Sequence, residues 1–195
     1  MTGVLERGFK TWAERTAASL RREIGVAPHL PLAPALIAAF LEVALWTPSD
    51  VPGLSVMAQE QLLVNDPWGW SAISCSVRGQ NVVIYNPRHS SARQASDIAH
   101  ELAHVILDHE PWKIVLSQDG GMIMRSYDQK QEEEANWLGW TLLLPREALV
   151  DAAKGKLAAP QIAEKYGVSE QLVEYRLRMT GVNNQFRRTT RRKAS

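Results

Sequence analysis

Apolar residues recur along the N-terminal third of the chain at the spacing of amphipathic helices. The pattern predicts helices over residues 4–24 and 35–45, with a proline-punctuated link between them. Farther along, runs of β-branched residues predict strands, of which the last two form a hairpin: 56–64, 73–77 and 81–85. The chain therefore begins as helices and continues as a small sheet.

The helical pattern that follows the hairpin is apolar on almost every side, which predicts a buried helix. Ser91 and Gln94 match a capping box at its start, and the segment 108–111 ends it. Inside this helix lies the run His100-Glu101-Leu102-Ala103-His104. Residues four apart lie one above the other on a helix, so His100 and His104 can offer nitrogen atoms to the same metal ion.

Glu101 is turned by about 100° around the helix axis from His100. It can therefore reach water beside a metal ion rather than the metal itself, as the general base of a zincin peptidase does. Burying His100, Glu101 and His104 without partners would be costly. We favour a metal site, which supplies those partners, over the alternative of hydrogen-bonded core residues. The helix thus predicts a metallopeptidase centre with one Zn²⁺ ion per chain.

The third ligand of such a centre must come from elsewhere in the chain. A longer pattern on the same helix would need glycine at position 107 and histidine at position 110, where the chain has Leu107 and Glu110. The other source is a second helix, which starts at the run Glu132-Glu133-Glu134 and which Pro145 ends.

Glu132 shares its helix face with small side chains that allow two helices to approach closely: Ala135, Asn136 and Gly139. The corresponding face of Glu134 carries bulkier residues. We therefore predict Glu132 as the third ligand, with Asn136 as the hydrogen-bond partner of a ligand histidine. Glu133 and Glu134 are predicted to form a solvated helix start, where negative charge suits the helix dipole.

These motifs resemble the ImmA/IrrE family of bacterial metallo-endopeptidases. The resemblance is carried by His100-Glu101-Leu102-Ala103-His104, Glu132-x-x-Ala135-Asn136, Leu142-Leu143-Leu144-Pro145, and the upstream residues 70–72, 84–87 and 92–94. The chain departs from the family pattern at Ala103, where glycine is common, and at Trp137-Leu138, where an aromatic-alanine pair is usual. The resemblance implies a cytoplasmic, zinc-dependent endopeptidase that cuts a helix-turn-helix repressor and so relieves repression. Composition and spacing do not identify that substrate.

Beyond Pro145 the pattern changes to two short helices with a turn at Gly167 and a helix start at Ser169, which is typical of a helix-turn-helix. Glu170 and Glu174 on the second helix would face phosphates, so protein docking is favoured over DNA binding. The expected fold is α+β: a mostly helical zincin-like metallopeptidase domain with a small β-sheet over 1–150, a helix-turn-helix-like region over 151–182, and a basic, disordered tail over 183–195. The tail could attract nucleic acid weakly.

Candidates for stabilising the oxyanion of the reaction are His89, His109 and Tyr127, although spacing singles out none of them and a packing or surface role is the alternative for each. The segment 112–125 between the ligand helices could form a lip over the cleft. An edge strand could hold an extended peptide by strand addition, or could simply be an edge strand.

Composition excludes little: 195 residues, 45% of them hydrophobic, with a formal net charge of +1 predict a globular chain without a strongly charged partner surface. The single cysteine, Cys75, precludes an intramolecular disulfide and fits a reducing cytoplasm. No continuous apolar stretch predicts a signal peptide or a membrane span.

Two function classes remain: a metallopeptidase that cuts a regulatory protein, or a DNA-associated regulatory or toxin-antitoxin component with a structural metal site. Glu101 favours the first, because a structural site has no use for a general base.

Overall fold

The computed structural model describes residues 5–77, 79–109, 115–116, 122–123 and 128–182, with backbone alone at 115–116 and 122–123. Its helices are α1 (Phe9–Ile24), α2 (Pro34–Phe40), α3 (Val56–Glu60), α4 (Ser91–Ile106), α5 (Gln129–Leu143), α6 (Arg146–Lys154), α7 (Ala159–Tyr166) and α8 (Glu170–Thr180). Its strands are β1 (Ala44–Trp46), β2 (Ala72–Val77), β3 (Gln80–Tyr85), β4 (Val115–Leu116) and β5 (Met122–Ile123). This confirms the predicted α+β fold, mostly helical with a small sheet. Every helix in the described part of the chain is too short or too polar to span a bilayer.

The predicted N-terminal helices are present but shorter than expected. Helix α1 begins at Phe9, after Gly8 in a left-handed conformation, rather than at residue 4. The prediction that α2 runs to Leu45 is wrong, because α2 ends at Phe40 and Leu45 lies in β1. Glu42 adopts a positive φ of 56° in the intervening turn, which redirects the chain into the sheet.

The strand predicted over 56–64 is wrong. This segment forms α3 and then a π-helical turn at Gln61–Asn65. The side chain of Ser55 caps α3 by accepting a hydrogen bond from the backbone N–H of Ala58 at 3.2 Å. A local cap therefore outweighs the β preference of the valines at either end of the segment.

The main sheet has the order β1-β3-β2. Strand β2 pairs with β3 in an antiparallel hairpin whose turn includes Gly79, at a φ of +83°, and β1 pairs with β3 in parallel. Strand β2 is thus an edge of this sheet, and helix α4 packs beside it. The predicted hairpin is confirmed, with strands one residue longer at their N-terminal ends.

Helices α4 and α5 pack closely at Gly139. A Cβ atom at this position would lie 2.9 Å from the backbone oxygen of Ala99, so a side chain cannot fit without moving one helix. The close approach brings the carboxylates of α5 up to the histidines of α4. It also fits the small-residue face predicted for α5.

The C-terminal helices share a hydrophobic cluster with α4 and α5. Ile162 and Val173 pack in one cluster with Ala99 and Leu143. Ser169 caps α8 by accepting a hydrogen bond from the N–H of Leu172 at 3.2 Å, as the sequence indicates. The helix-turn-helix-like region therefore completes the core around α4 and α5.

Two fully buried arginines hold the C-terminal end of α5. Arg21 on α1 donates to the backbone oxygen of Leu142 at 2.9 Å, and Arg176 on α8 donates to that of Leu144 at 3.1 Å. These cations satisfy carbonyls that a helix end leaves unpaired and suit its dipole. Burial lowers the pKa of Arg21 to about 10, which still leaves it charged at neutral pH.

Candidate metal centre

Helix α4 is capped one residue earlier than the sequence indicates. Ser90, rather than Ser91, is the N-cap, and its side chain accepts from the N–H of Arg93 at 3.4 Å. Gln94 reaches back to donate to the backbone oxygen of His89 at 2.6 Å instead of forming the predicted box. The helix then continues through His100 and His104 without interruption to Ile106.

The three predicted ligands come together. Nε2 of His100 lies 3.1 Å from Nε2 of His104 and 3.2 Å from Oε2 of Glu132. Nε2 of His104 lies 3.6 Å from Oε1 of Glu132. One candidate ligand atom from each of these residues lies within 4.8 Å of the others. Three donor atoms thus surround one point between α4 and α5.

This donor set fits Zn²⁺. Ligands about 2.0–2.2 Å from a tetrahedral ion lie roughly 3.3–3.6 Å from one another, which is close to the separations found here. Imidazole and carboxylate ligands suit a zinc-class ion. In the part of the chain that is described, the cluster offers three candidate ligands and borders a cleft, and a tetrahedral ion held by three protein ligands would keep a fourth position for a reactant.

Asn136 lies where the sequence predicts, beside His100. Its Oδ1 atom lies 3.1 Å from Nδ1 of His100. Because Oδ1 can only accept, Nδ1 carries the hydrogen, and the lone pair of Nε2 faces the point shared with Glu132. The ring of His100 is thereby held in the tautomer that a metal ligand needs.

His104 is held in a neutral form. Burial lowers its pKa to about 3, and the neighbouring imidazoles of His100 and His109 act in the same direction. A neutral imidazole is the form that binds metal, so His104 needs no deprotonation at physiological pH.

Glu101 is buried beside the ligands, with 7% of its surface exposed. Its Oε2 atom accepts a 2.9 Å hydrogen bond from the backbone N–H of Ser74 on β2. Burial raises the pKa of Glu101, while the Ser74 bond and the electrostatic interaction with His100 act against that rise. Sequence reasoning did not identify Ser74, which precedes Glu101 by 27 residues.

The cleft beside the cluster has a volume of about 500 Å³. The residues that define it are Ser71, Ala72 and Ile73 at the start of β2, Ser96, Asp97, His100 and Glu101 on α4, and Glu132, Asn136 and Trp140 on α5. The sheet edge forms one wall and the two helices form the other. Two of the three candidate ligands, His100 and Glu132, thus line the cleft.

The oxyanion candidates occupy different surroundings. His109 lies behind His104, with its Nδ1 atom 2.9 Å from Nδ1 of that ligand. His89 is buried, with its Nδ1 atom 3.2 Å from Oδ2 of Asp97 and its ring stacked on Trp68. The structure therefore places His109 against a ligand, and His89 against a residue of the cleft wall. Tyr127, most of the segment 112–125 and the tail 183–195 lie outside the described residues.

The prediction that Glu134 is solvated is wrong. Its side chain is 13% exposed, and Oε2 lies 3.4 Å from Nε2 of His109. Glu132 on α5 faces His100 and His104, whereas Glu134, two residues later, faces His109 in the turn that follows α4. The close packing at Gly139 draws both carboxylates in from solvent.

Comparisons with known proteins agree with this architecture. The model of the peptidase M78 family, described as the IrrE N-terminal-like domain, matches residues 67–178. A solved structure of a Mycobacterium tuberculosis transcriptional regulator is similar in fold, with a TM-score of 0.52 and 14% sequence identity. The similarity covers 86% of this chain and 46% of that one, so the chain spans about half the length of the regulator. No curated protein matches the chain.

Proposed function

Because the chain belongs to the peptidase M78 family of IrrE N-terminal-like domains, we propose that it is a zinc-dependent endopeptidase that cleaves a helix-turn-helix transcriptional repressor and so relieves repression. Membership supports a metallopeptidase of the IrrE and ImmA type and suggests a protein substrate. Zinc, one ion per chain, a cytoplasmic setting and the repressor are the further steps of the proposal. The observation that carries it is the convergence of His100, His104 and Glu132 beside the carboxylate of Glu101.

In this proposal His100, His104 and Glu132 hold the metal. When bound, an ion of this class polarises a carbonyl group and activates water at neutral pH. Glu101 handles the proton: Oε2 is engaged by Ser74, which leaves Oε1 to take a proton from the attacking water. The same carboxyl group can return that proton to the leaving amine. Its buried position supports both transfers, because burial makes the carboxylate a stronger base.

Strand β2 offers a place for the substrate backbone. Alternate residues of an antiparallel edge strand direct their N–H and C=O groups away from the partner strand. Since the N–H of Ser74 points to α4, the polar groups of Ala72, two residues earlier, point the same way, into the cleft. An extended segment of substrate can pair with Ala72 and lie across the ligands.

The proposed substrate is a repressor. This choice follows from the family and is compatible with the fold shared with a transcriptional regulator. The helix-turn-helix-like pair α7 and α8 offers a surface for a folded protein, with Glu170 and Glu174 exposed on α8. Acidic side chains there suit protein docking better than phosphate contact. The alternative, a DNA-associated component with a structural metal site, would need a closed set of four ligands.

The proposal is tested by mass spectrometry of cleavage products. The zinc-loaded protein is incubated with the helix-turn-helix repressor encoded nearest to its gene and, separately, with casein. We expect cleavage of the repressor at one exposed segment, little digestion of casein, and no cleavage after treatment with a chelator. Indiscriminate casein digestion without a preferred repressor site would contradict the specific-protease proposal and leave a general peptidase.

A further inference from the structure

The ligand His104 is backed by a row of polar groups on the side away from Glu132. Its Nδ1 atom lies 2.9 Å from Nδ1 of His109, and Nε2 of His109 lies 3.4 Å from Oε2 of Glu134. The side chains of His109 and Glu134 are only 8% and 13% exposed. Three ionisable groups thus form a row withdrawn from water, and it ends at a predicted metal ligand.

The chemistry of the row determines where its hydrogens lie. A histidine that binds a metal through Nε2 carries its hydrogen on Nδ1. His104 therefore donates to Nδ1 of His109, which must accept and must carry its own hydrogen on Nε2. The carboxylate of Glu134 lies 3.4 Å from that nitrogen, at ion-pair distance. The short contact between the two imidazoles thus has one donor and one acceptor.

We propose that His109 and Glu134 are positioning residues for the metal centre, which hold the ring of His104 with Nε2 toward Glu132 and thereby set the zinc affinity. This inference rests on the proposed metal site. Asn136 holds His100 in the corresponding way, so each imidazole is fixed from behind. Partners of this kind typically contribute about 10–100-fold to metal affinity.

The backbone conformation after α4 explains how the side chain of His109 reaches His104. Helix α4 ends at Ile106, and Asp108 adopts a positive φ of 52°. The N–H of His109 then donates to the backbone oxygen of His104 at 3.0 Å. The turn therefore folds His109 back over the last turn of the helix. Helix α5 completes the arrangement, since it supplies Glu132 to one side of His104 and Glu134 to the other side.

The test measures zinc affinity by competition with a chromophoric chelator. We expect His109→Ala to weaken binding about 10–100-fold, and Glu134→Ala to weaken it by a smaller factor. The matched control is Glu133→Ala. Glu133 is adjacent to Glu134, but its side chain accepts a 3.2 Å hydrogen bond from Gln129 instead of facing His109. Its affinity should stay within twofold of the wild-type value.

Two conservative variants separate positioning from packing. The amide of His109→Asn can place an oxygen near the former Nδ1 atom and accept from His104, so it should recover most of the affinity. The amide of His109→Gln reaches the former Nε2 position, keeps the contact with Glu134 and should remain weak. The visible spectrum of bound Co²⁺ should shift in His109→Gln and stay close to wild type in His109→Asn.

Zinc affinities of His109→Ala and His109→Gln within twofold of wild type, with unchanged Co²⁺ spectra, would overturn the inference. So would full additivity of the losses in the His109→Ala/Glu134→Ala double variant, because residues that act through one row should not be additive. Failure of the wild-type chain to bind zinc is a different result, and it would remove the proposed function itself.

Discussion

The backbone N–H of Ser74 donates a 2.9 Å hydrogen bond to Oε2 of Glu101 and so joins the edge strand β2 to α4, the helix of His100 and His104. In the proposed mechanism, this bond gives the two carboxylate oxygens different roles. One is fixed by the sheet, and the other is left for proton transfer. It also sets the distance between the wall that would hold substrate and the group that would act on it.

Glu101→Gln should keep fold and zinc but lose peptidase activity. The amide oxygen of glutamine can still accept from Ser74, while the side chain can no longer take a proton. We expect kcat/KM on the repressor to fall about 10²–10⁴-fold, with zinc affinity changed by less than about threefold. Kinetics and chelator competition on the same preparation measure both. Glu133→Gln is the matched control, and full activity in Glu101→Gln would remove the enzymatic role of this residue.

Ala72→Pro should weaken substrate binding more than stability. Proline removes the N–H that faces the cleft, and the first residue of a strand tolerates proline. We expect kcat/KM to fall at least about tenfold, because a lost backbone hydrogen bond of about 1.4 kcal/mol corresponds to that factor. Ala72→Val keeps the donor and should stay within about threefold. Equal activity of the two variants would argue against strand addition at this edge.

Gly139→Ala should destabilise the protein. A Cβ atom there would lie 2.9 Å from the oxygen and 3.0 Å from the carbon of the Ala99 carbonyl group. Overpacking of this kind costs roughly 1–3 kcal/mol and outweighs the gain of about 1 kcal/mol in helix propensity. Because the clash is with backbone atoms rather than with a flexible side chain, we expect the upper part of that cost, about 2–3 kcal/mol. The net loss in the free energy of unfolding by urea should then be about 1–2 kcal/mol.

The control for that measurement is Gly155→Ala. A Cβ atom there would lie 3.5 Å from its nearest neighbour, which is ordinary contact. Its effect on the free energy of unfolding should stay within about 0.5 kcal/mol. A Gly139→Ala protein as stable as Gly155→Ala would show that α4 and α5 are less tightly packed than the structure indicates.

Arg176→Ala should destabilise the whole fold. Arg176 is fully buried, and it donates to Leu144 at 3.1 Å and to Oε1 of Glu14 at 2.6 Å. Breaking a buried pair costs about 3–5 kcal/mol, and the partial exposure of Glu14 favours the lower end of that range. Arg178→Ala, on the exposed face of the same helix, is the control.

Truncation of the C-terminal helices should also destabilise the whole protein, because these helices share a hydrophobic core with α4 and α5. Removing the residues after Leu149 would expose Ala99 and Leu143 and should lower the thermal midpoint of the entire protein. A truncated chain that unfolds at the wild-type temperature would show that the C-terminal region is a separate domain.

The candidate site was easier to predict than the sheet, because the positions of its residues follow from spacing within single helices. The spacing of His100 and His104 and the small-residue face of α5 follow from helix geometry, and the structure brings together the residues chosen on those grounds. Strand β1 was missed because its residues continue the apolar pattern of α2. Only pairing with β3 makes them a strand, and that pairing depends on the turn at Glu42.

Two contacts of the site could not be predicted from periodicity. The bond between Ser74 and Glu101 depends on how the sheet packs against α4. The approach of His109 to His104 depends on the positive φ of Asp108 after the helix ends. A histidine five residues after a ligand histidine, just past the end of its helix, was nevertheless a signal that could have been considered.

The most direct test of the metal centre compares the zinc content of Glu132→Ala and Glu134→Ala after dialysis against metal-free buffer. The structure places the carboxylate of Glu132 within 3.6 Å of both ligand nitrogens and that of Glu134 against His109. We predict about one zinc per chain in the wild type, loss of zinc in Glu132→Ala, and retention of zinc with weaker affinity in Glu134→Ala. Loss of zinc by Glu134→Ala together with retention by Glu132→Ala would contradict the ligand assignment and the mechanism built on it.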